Sequence, residues 1–250
     1  QLDKDYELKA KVKSAMTYPV FVLSALVVVG LLMFKFVLPK LTAVLEEQGG
    51  SLPPVSVALI AMTKFFGAYW WTVILSIIGA ILGVKYYVST VAGRYQWDKM
   101  KIHLPIIGDI FEKIYLARFA RNLSTLVIGG IPIIKALQIV SEIINNVIYR
   151  DIILDTVGKI QAGKSISEGL SGHREFPNIV TQMVKVGEQT AQLDDIMGKL
   201  ANFYEKEVDN KVATLTTLME PMIMIILGLG VGALVAGVLM PIYNLASTAG

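Results

Sequence analysis

Three long apolar segments limit what this chain can fold into. They cover residues 17–38, 65–88 and 222–240, and the last carries no charged side chain. A helix needs about 20 apolar residues to cross a bilayer, because each residue adds about 1.5 Å and the hydrocarbon core is about 30 Å thick. The core helices of soluble proteins are usually shorter than these segments. We therefore predict three transmembrane helices at these positions.

The cations that flank the segments predict how the chain crosses the membrane. Lys4, Lys9, Lys11 and Lys13 precede the first segment, and Lys85, Arg94, Lys99 and Lys101 follow the second. Residues 39–64 balance two lysines against two glutamates, and residues 241–250 carry no charge. Cytoplasmic loops are enriched in Lys and Arg. We expect residues 1–16 and 91–217 in the cytoplasm, with residues 39–64 and 241–250 outside it.

Small residues within the second and third segments indicate close helix packing. Gly79 and Gly83 are four residues apart, as are Gly228 and Gly232. This spacing puts both glycines of a pair on one helix face, where the backbone of a second helix can come close. The partner helix could belong to this chain or to another, and both possibilities stay open.

Residues 91–217 have the pattern of a series of short amphipathic helices. Apolar residues at helical spacing and breaks at glycine, proline and asparagine predict helices at residues 110–128, 132–144, 147–161, 166–170 and 177–188, and a sixth from residue 192. No alternating pattern of a β-strand competes with them. The predicted fold class is an all-α membrane protein with three transmembrane helices and a six-helix cytoplasmic bundle.

Residues 158–165, with the sequence GKIQAGKS, match the phosphate-binding pattern G-x-x-x-x-G-K-[ST]. A working P-loop joins a strand to a helix, so that backbone amides surround the phosphates. Here the preceding residues have the pattern of a helix. Gly163 suits the left-handed end of that helix, and Ser165 with Glu168 suits a capping box for the next. We predict that this motif does not bind nucleotide.

Composition and residue types argue against several other functions. The chain has no cysteine, which excludes disulfides and thiolate chemistry, and its net charge of +3 is too small to indicate nucleic acid. His103 and His173 have no companions at metal-ligand spacing. We predict no catalytic residue, no cofactor-binding residue and no metal ligand, and therefore a protein that is not an enzyme.

An internal repeat relates the first and third segments. Pro19 and Pro39 bracket the first segment at the same interval as Pro221 and Pro241 bracket the third. The charges before the prolines also correspond, with DKD at residues 3–5 and EKE at residues 205–207. We interpret this as a duplication. Residues 1–16 are then expected to be the end of an upstream cytoplasmic helical domain.

Several short motifs recur in one known family. They are LPIIG at 104–108, ARFARNLS at 117–124, GIP at 130–132, FP at 176–177, GE at 187–188, YEKEV at 204–208, EP at 220–221 and PI at 241–242. Together they resemble the F-type inner-membrane platform protein of type II secretion systems and type IV pilus assembly machines. The resemblance covers essentially the whole chain and implies that it is the C-terminal part of a longer protein with two cytoplasmic bundles.

The resemblance also implies partners and partner-facing residues. It implies a non-catalytic, oligomeric platform in the bacterial inner membrane that contacts a hexameric assembly ATPase, pilin or pseudopilin subunits and other inner-membrane assembly proteins. The candidate contact and hinge residues are Gly187, Glu188, Glu220, Pro221, Pro19 and Pro241. The family pattern Gly-Glu-x-x-Gly carries Ala191 at its last position here. Alanine disfavours a positive φ, so this turn departs from the pattern.

Two choices stay open at the level of the sequence. A membrane transporter or channel subunit is the alternative function, although polar residues within the segments are scattered rather than aligned along a path. The motifs are shared by pilus assembly and secretion, so they do not separate these two roles.

Overall fold

The computed structural model describes residues 2–37, 39–40, 43, 54–105 and 107–248. These residues form helices and turns, with no β-strand among them, so the all-α class is confirmed. Residues 44–53 of the predicted external loop and the last two residues of the predicted tail lie outside the described part. Nine α-helices are described: α1 Leu2–Leu32, α2 Pro54–Ser89, α3 Val91–His103, α4 Ile107–Ile128, α5 Ile133–Ile143, α6 Val147–Gln161, α7 Ile166–Leu170, α8 Asn178–Thr190 and α9 Leu193–Thr248.

The chain divides into two compact units. The first, here called the helical domain, comprises Gln1–Val12 and Lys85–Thr214, and the second, here called the apolar unit, comprises Lys13–Val84 and Leu215–Gly250. Helices α1, α2 and α9 contribute residues to both units.

The core of the helical domain is built around α4. Phe119, Tyr149 and Phe176 are all buried, and the ring of Phe176 lies 5.1 Å from that of Phe119 and 5.5 Å from that of Tyr149. Burying an aromatic or aliphatic side chain of this size contributes about 1.5–3 kcal/mol. The hydroxyl of Tyr149 donates to the backbone oxygen of Glu175 at 3.2 Å, so its polar end is satisfied within the core.

Polar contacts join α4 to the first half of α9. Arg121 donates two hydrogen bonds of 2.9 Å to the carboxylate of Glu205. Toward the start of α4, Lys211 pairs with Asp109 at 2.9 Å. Burial would raise the pKa of Asp109, but its hydrogen bonds from Lys113 and Lys211 outweigh this effect and lower the pKa below its usual value. The two helices are therefore linked at both ends of their contact.

Local sequence signals account for several helix ends. The Asn146 side chain accepts from the amides of Ile148 and Tyr149, which starts α6 where the sequence predicted. Gly163 has a φ of 88° and follows the end of α6. The predicted capping box of Ser165 and Glu168 is present at the start of α7. The predicted bounds of α6 and α7 are confirmed.

The six-helix prediction for residues 91–217 was wrong in omitting α3. This helix begins after Thr90, whose hydroxyl accepts from the amide of Gly93 at 3.1 Å. Its sequence mixes charged and aromatic residues without a regular apolar stripe, so periodicity does not reveal it. Its place in the fold depends on contacts with α4 and α6 instead.

Length and composition make two described stretches long and apolar enough to cross a membrane: Thr17–Val37 and Leu193–Gly232. Within the apolar 18-residue window of each stretch, at most 6% of the residues are buried, unlike those of a core helix in a soluble protein. A shorter apolar stretch, Ile78–Ser89, ends α2. The transmembrane assignment of residues 65–88 stays a prediction, and Tyr69 within them has the non-helical angles φ −118° and ψ 15°.

The helices extend beyond the predicted segments. Helix α1 continues through Pro19, a buried residue, and passes into a π-helical turn, Met33–Val37. Helix α2 begins at Pro54, before the predicted start at residue 65. Helix α9 includes both Pro221 and Pro241 without an interruption.

Candidate partner-binding site

The turn between α8 and α9 contains the Gly-Glu pair that the sequence singled out. Gly187 is buried, and a Cβ atom built on it would lie 3.1 Å from the Cα atom of Leu193. A larger residue would therefore separate the two helices. The turn ends at Ala191, with φ 55° and ψ 30°, and the amide of Gln192 donates to the oxygen of Gly187 at 3.0 Å. The departure from glycine at Ala191 does not abolish the left-handed turn.

The carboxylate of Glu188 caps the start of α7. One oxygen accepts from the amide of Ile166 at 2.5 Å, and the other accepts from the amide of Ser167 at 3.1 Å. The first amides of a helix have no partner within the helix, and a carboxylate also interacts favourably with the positive end of the helix dipole. Glu188 therefore ties the end of α8 to the start of α7.

A polar groove lies between α7 and α8. Its volume is about 460 Å³, and its lining consists of hydroxyl, amide and carboxylate side chains with one lysine: Ser165, Ser167, Glu168, Ser171, Thr181, Gln182, Lys185, Glu188 and Gln189. The side chains of this lining offer many hydrogen-bond donors and acceptors. Such a groove suits a polar segment of another protein better than an apolar ligand.

The P-loop-like residues lie between two helices, a context that differs from that of a working P-loop. The segment follows helix α6 rather than a strand. Lys159 is used within the domain, pairing with Asp155 at 2.6 Å and donating to the oxygen of Gly169 at 3.3 Å. The prediction that the motif serves the helix ends is confirmed.

Asp98 is a buried carboxylate that the sequence did not single out. It lies on α3 with 3% exposure, pairs with Lys101 at 2.9 Å and accepts from the amide of Val147 at 3.1 Å. It thus joins α3 to the first turn of α6. Val147 is distant from Asp98 in sequence, and an aspartate in a charged stretch carries no sign of burial.

A tight corner joins α2 to α3. The backbone oxygen of Tyr87 accepts from the amide of Thr90 at 3.1 Å and from its hydroxyl at 2.7 Å. A Cβ atom built on Gly93 would lie only 1.9 Å from the same oxygen, so this position requires glycine. The hydroxyl of Tyr87 also donates to Gln96 at 2.7 Å. Hydrogen bonds that join Tyr87 to Thr90 and to Gln96 therefore hold the corner.

The glycine pairs predicted to pack do not contact a neighbour among the described atoms. Cβ atoms built on Gly79, Gly83, Gly228 and Gly232 meet nothing within 4 Å. Within the apolar unit, the close approach occurs instead at Gly230, where a built Cβ atom would lie 3.3 Å from the Leu26 side chain. Packing of the four predicted glycines against another chain stays a prediction.

The remaining candidate residues lie along α1 and α9. Glu220 is exposed, and α9 continues through Pro221 and Pro241. A hinge at Glu220 and Pro221 stays a prediction, as do hinges at Pro19 and Pro241. Among the described residues, no group of three or more His, Asp or Glu side chains is arranged to hold a metal ion.

These features define a class of protein: an all-helical chain with candidate membrane spans, a compact helical domain and polar surfaces suited to other proteins. The family model of type II secretion system protein F matches residues 119–241. The chain is 36% identical to type IV pilus assembly protein PilC of Thermus thermophilus over 99% of its own length and 61% of the relative's. It belongs to the F-type platform protein family of type II secretion and type IV pilus assembly, as the motifs predicted.

Two further relatives come from one organism. PilC of Pseudomonas aeruginosa is 34% identical over 99% of this chain and 67% of the relative. The type II secretion system protein F of the same organism is 29% identical over 95% of this chain and 58% of the relative. The chain thus spans about three fifths of the length of the curated relatives it matches.

Proposed function

We propose that this chain is part of the non-catalytic inner-membrane platform of a type IV pilus assembly machine. The observation that carries the proposal is the similarity over nearly the whole chain to four proteins named for type IV pilus assembly, at 34–36% identity. The relatives named type II secretion system protein F are 26–29% identical, and one fimbrial assembly protein is 27% identical. The identities of 34–36% favour pilus assembly over secretion.

The proposed role is to couple a hexameric cytoplasmic ATPase to pilin polymerisation. The contacts of α9 support it, because its first half is linked to α4 through Glu205 and Lys211 while its later residues include the apolar stretch that ends at Gly232. We propose three membrane spans, with the N-terminus and the helical domain in the cytoplasm and the C-terminus outside. Self-association through the glycine faces of α2 and α9 belongs to the same proposal.

We propose the α7–α8 groove, with the turn at Gly187 and Glu188, as the surface that contacts a cytoplasmic partner. Its lining is polar and open, whereas the carboxylate of Glu188 is already used at the start of α7. The partner would therefore recognise the groove, and Glu188 would maintain its shape.

Photo-cross-linking in cells that assemble pili tests the proposal. The cross-linking amino acid is placed at Gln182 in the groove, at Leu229 in the apolar unit, which is 71% exposed, or at the control position Asp151 on α6. We expect Gln182 to cross-link to the ATPase, Leu229 to pilin, and Asp151 to neither. Wild-type pilus assembly in a strain lacking this chain would contradict the proposal, as would the absence of both cross-links.

The transporter alternative has a separate test. The chain reconstituted in liposomes should give no ion or solute flux above that of empty liposomes. Sustained flux would favour the alternative, although no relative described above is named as a transporter or channel.

A further inference from the structure

One face of α3 is exposed along its whole length. Val91, Tyr95, Lys99 and His103 follow one another at intervals of four residues, which places them on one side of a helix. All four are exposed, and Val91 is 91% exposed. The buried residues of α3, Gly93 and Asp98, lie outside this set. The four residues are here called the α3 row.

The charge around the α3 row is one-sided. Lys85, Arg94, Lys99 and Lys101 lie within residues 85–104, and the one acidic residue of that range is Asp98. Asp98 is buried and already paired with Lys101. Lys85 and Lys99 form no ion pair with any residue that the structure describes. Two exposed ammonium groups are therefore left without a compensating carboxylate nearby.

The α3 row follows directly after an apolar helix end. The stretch Ile78–Ser89 closes α2, and its side chains Leu82 and Tyr86 are 60% and 78% exposed. Thr90 is the single residue between α2 and α3, and the corner at Tyr87 holds the two together. The row therefore cannot move far from the end of this apolar stretch.

Exposed apolar side chains, tyrosines and lysines occur together where a protein meets the surface of a bilayer. Tyrosine rings are enriched at the level of the headgroups, and lysines close to the membrane are attracted to anionic lipids. The α3 row lies along one side of a single helix, an arrangement that suits a helix lying on a membrane surface. A protein partner would instead need acidic groups to face the two lysines.

We propose that the α3 row and Lys85 form a binding surface for anionic phospholipid headgroups in the leaflet where the apolar end of α2 emerges. Val91 and Tyr95 enter the boundary between headgroups and acyl chains, while Lys85 and Lys99 contact the phosphates. Each lysine contributes about a fivefold preference for anionic over zwitterionic lipid, following the usual attraction of a cation near a charged membrane surface.

The absence of native cysteine makes the test direct. Ala92, an exposed residue beside the row, is changed to cysteine in the full chain and labelled with bimane. The protein is reconstituted in phosphatidylcholine nanodiscs that contain equal small fractions of either phosphatidylglycerol or phosphatidylcholine carrying a nitroxide near the headgroup. Quenching by the two labelled lipids is then compared.

We expect the phosphatidylglycerol probe to quench several-fold more strongly than the phosphatidylcholine probe. Changing both Lys85 and Lys99 to glutamine should bring the ratio close to one. The matched control changes the exposed Lys135 and Lys164 to glutamine, which removes the same charge elsewhere in the helical domain and should leave the ratio unchanged. Changing both Lys85 and Lys99 to arginine should keep the quenching ratio at its original value.

Two outcomes would overturn the proposal. Equal quenching by both lipids in the unmodified row would mean that the surface meets the bilayer without recognising charge. Absence of quenching by either lipid would mean that the row faces water or a protein.

Discussion

Replacing Glu188 with alanine would remove both hydrogen-bond acceptors from the start of α7. The amides of Ile166 and Ser167 lie 2.5 and 3.1 Å from the two carboxylate oxygens, and both residues are buried. The capping box cannot replace Glu188, because it serves the amides of Ser165 and Glu168 instead.

The size of the effect follows from the two unpaired amides. A buried donor left without a partner costs about 1–3 kcal/mol. The groove beside α7 is open, so water can reach part of the site, and we take the low end of this range for each amide. The expected loss is about 2 kcal/mol, which corresponds to about a 30-fold change in the equilibrium for local opening of α7.

Hydrogen exchange measured by mass spectrometry on the full chain in detergent micelles reports this opening directly. Amides of α7 should exchange about 30-fold faster in Glu188→Ala, while those of α4 keep their rates. Glu188→Gln retains one carbonyl acceptor and should show about a fivefold increase. The control Glu142→Ala removes an exposed glutamate on α5 and should leave α7 unchanged.

Unchanged exchange of α7 in Glu188→Ala would refute the capping role. Pilus assembly by the same variants then separates structure from recognition. If Glu188→Gln keeps most of the protection of α7 but abolishes assembly, a partner reads the negative charge itself. If assembly falls in proportion to the exposure of α7, the carboxylate acts through the shape of the groove.

Three further predictions concern the stability of the helical domain, measured in the full chain by thermal denaturation in micelles. Ala191→Gly should stabilise the domain by about 0.5–1 kcal/mol, because the relief of strain at this left-handed residue exceeds the entropy that glycine adds to the unfolded chain. A destabilised variant would mean that the turn is not left-handed. Burial raises the pKa of Glu112, with Lys113 acting against this effect, so the ionised form opposes folding at neutral pH. Glu112→Gln should therefore raise the Tm at pH 7. The gain in Tm should vanish as the pH falls towards 4.5, the usual pKa of this group. A gain in Tm that does not depend on pH would contradict this prediction. A double-mutant cycle with Arg121→Ala and Glu205→Ala should give a coupling energy of about 1–2 kcal/mol, and additive effects would show that the bidentate pair contributes nothing.

The parts of the fold that the sequence predicted well depend on local signals. Helix α6 starts where Asn146 caps it, and α7 starts where Ser165 and Glu168 cap each other. Such signals act over three or four residues and can be read without knowing the neighbours. The same signals correctly placed the P-loop-like residues at the end of one helix and the start of the next.

The parts that were missed depend on contacts between distant residues. The burial of Asp98 becomes evident only when α3 lies against the amide of Val147. The close approach of α9 to α1 at Gly230 depends on the relative positions of two helices, which the spacing of Gly228 and Gly232 does not encode. Glu188 was recognised as a candidate from a family motif, but its hydrogen bonds to α7 could be identified only from the structure.

Helix α3 is held at its beginning, its middle and its end, and this limits how the helical domain can deform. Its beginning is held by the corner at Tyr87, its middle is held to α6 by Asp98, and its end lies against Gly108 of α4. Because α3 is held at all three places, a displacement applied at the corner cannot be absorbed by swinging α3 aside. It must either strain the hydrogen bond to Val147 or carry the first turn of α6 with it. The connection from Tyr87 through α3 to Val147 therefore transmits a displacement rather than absorbing it.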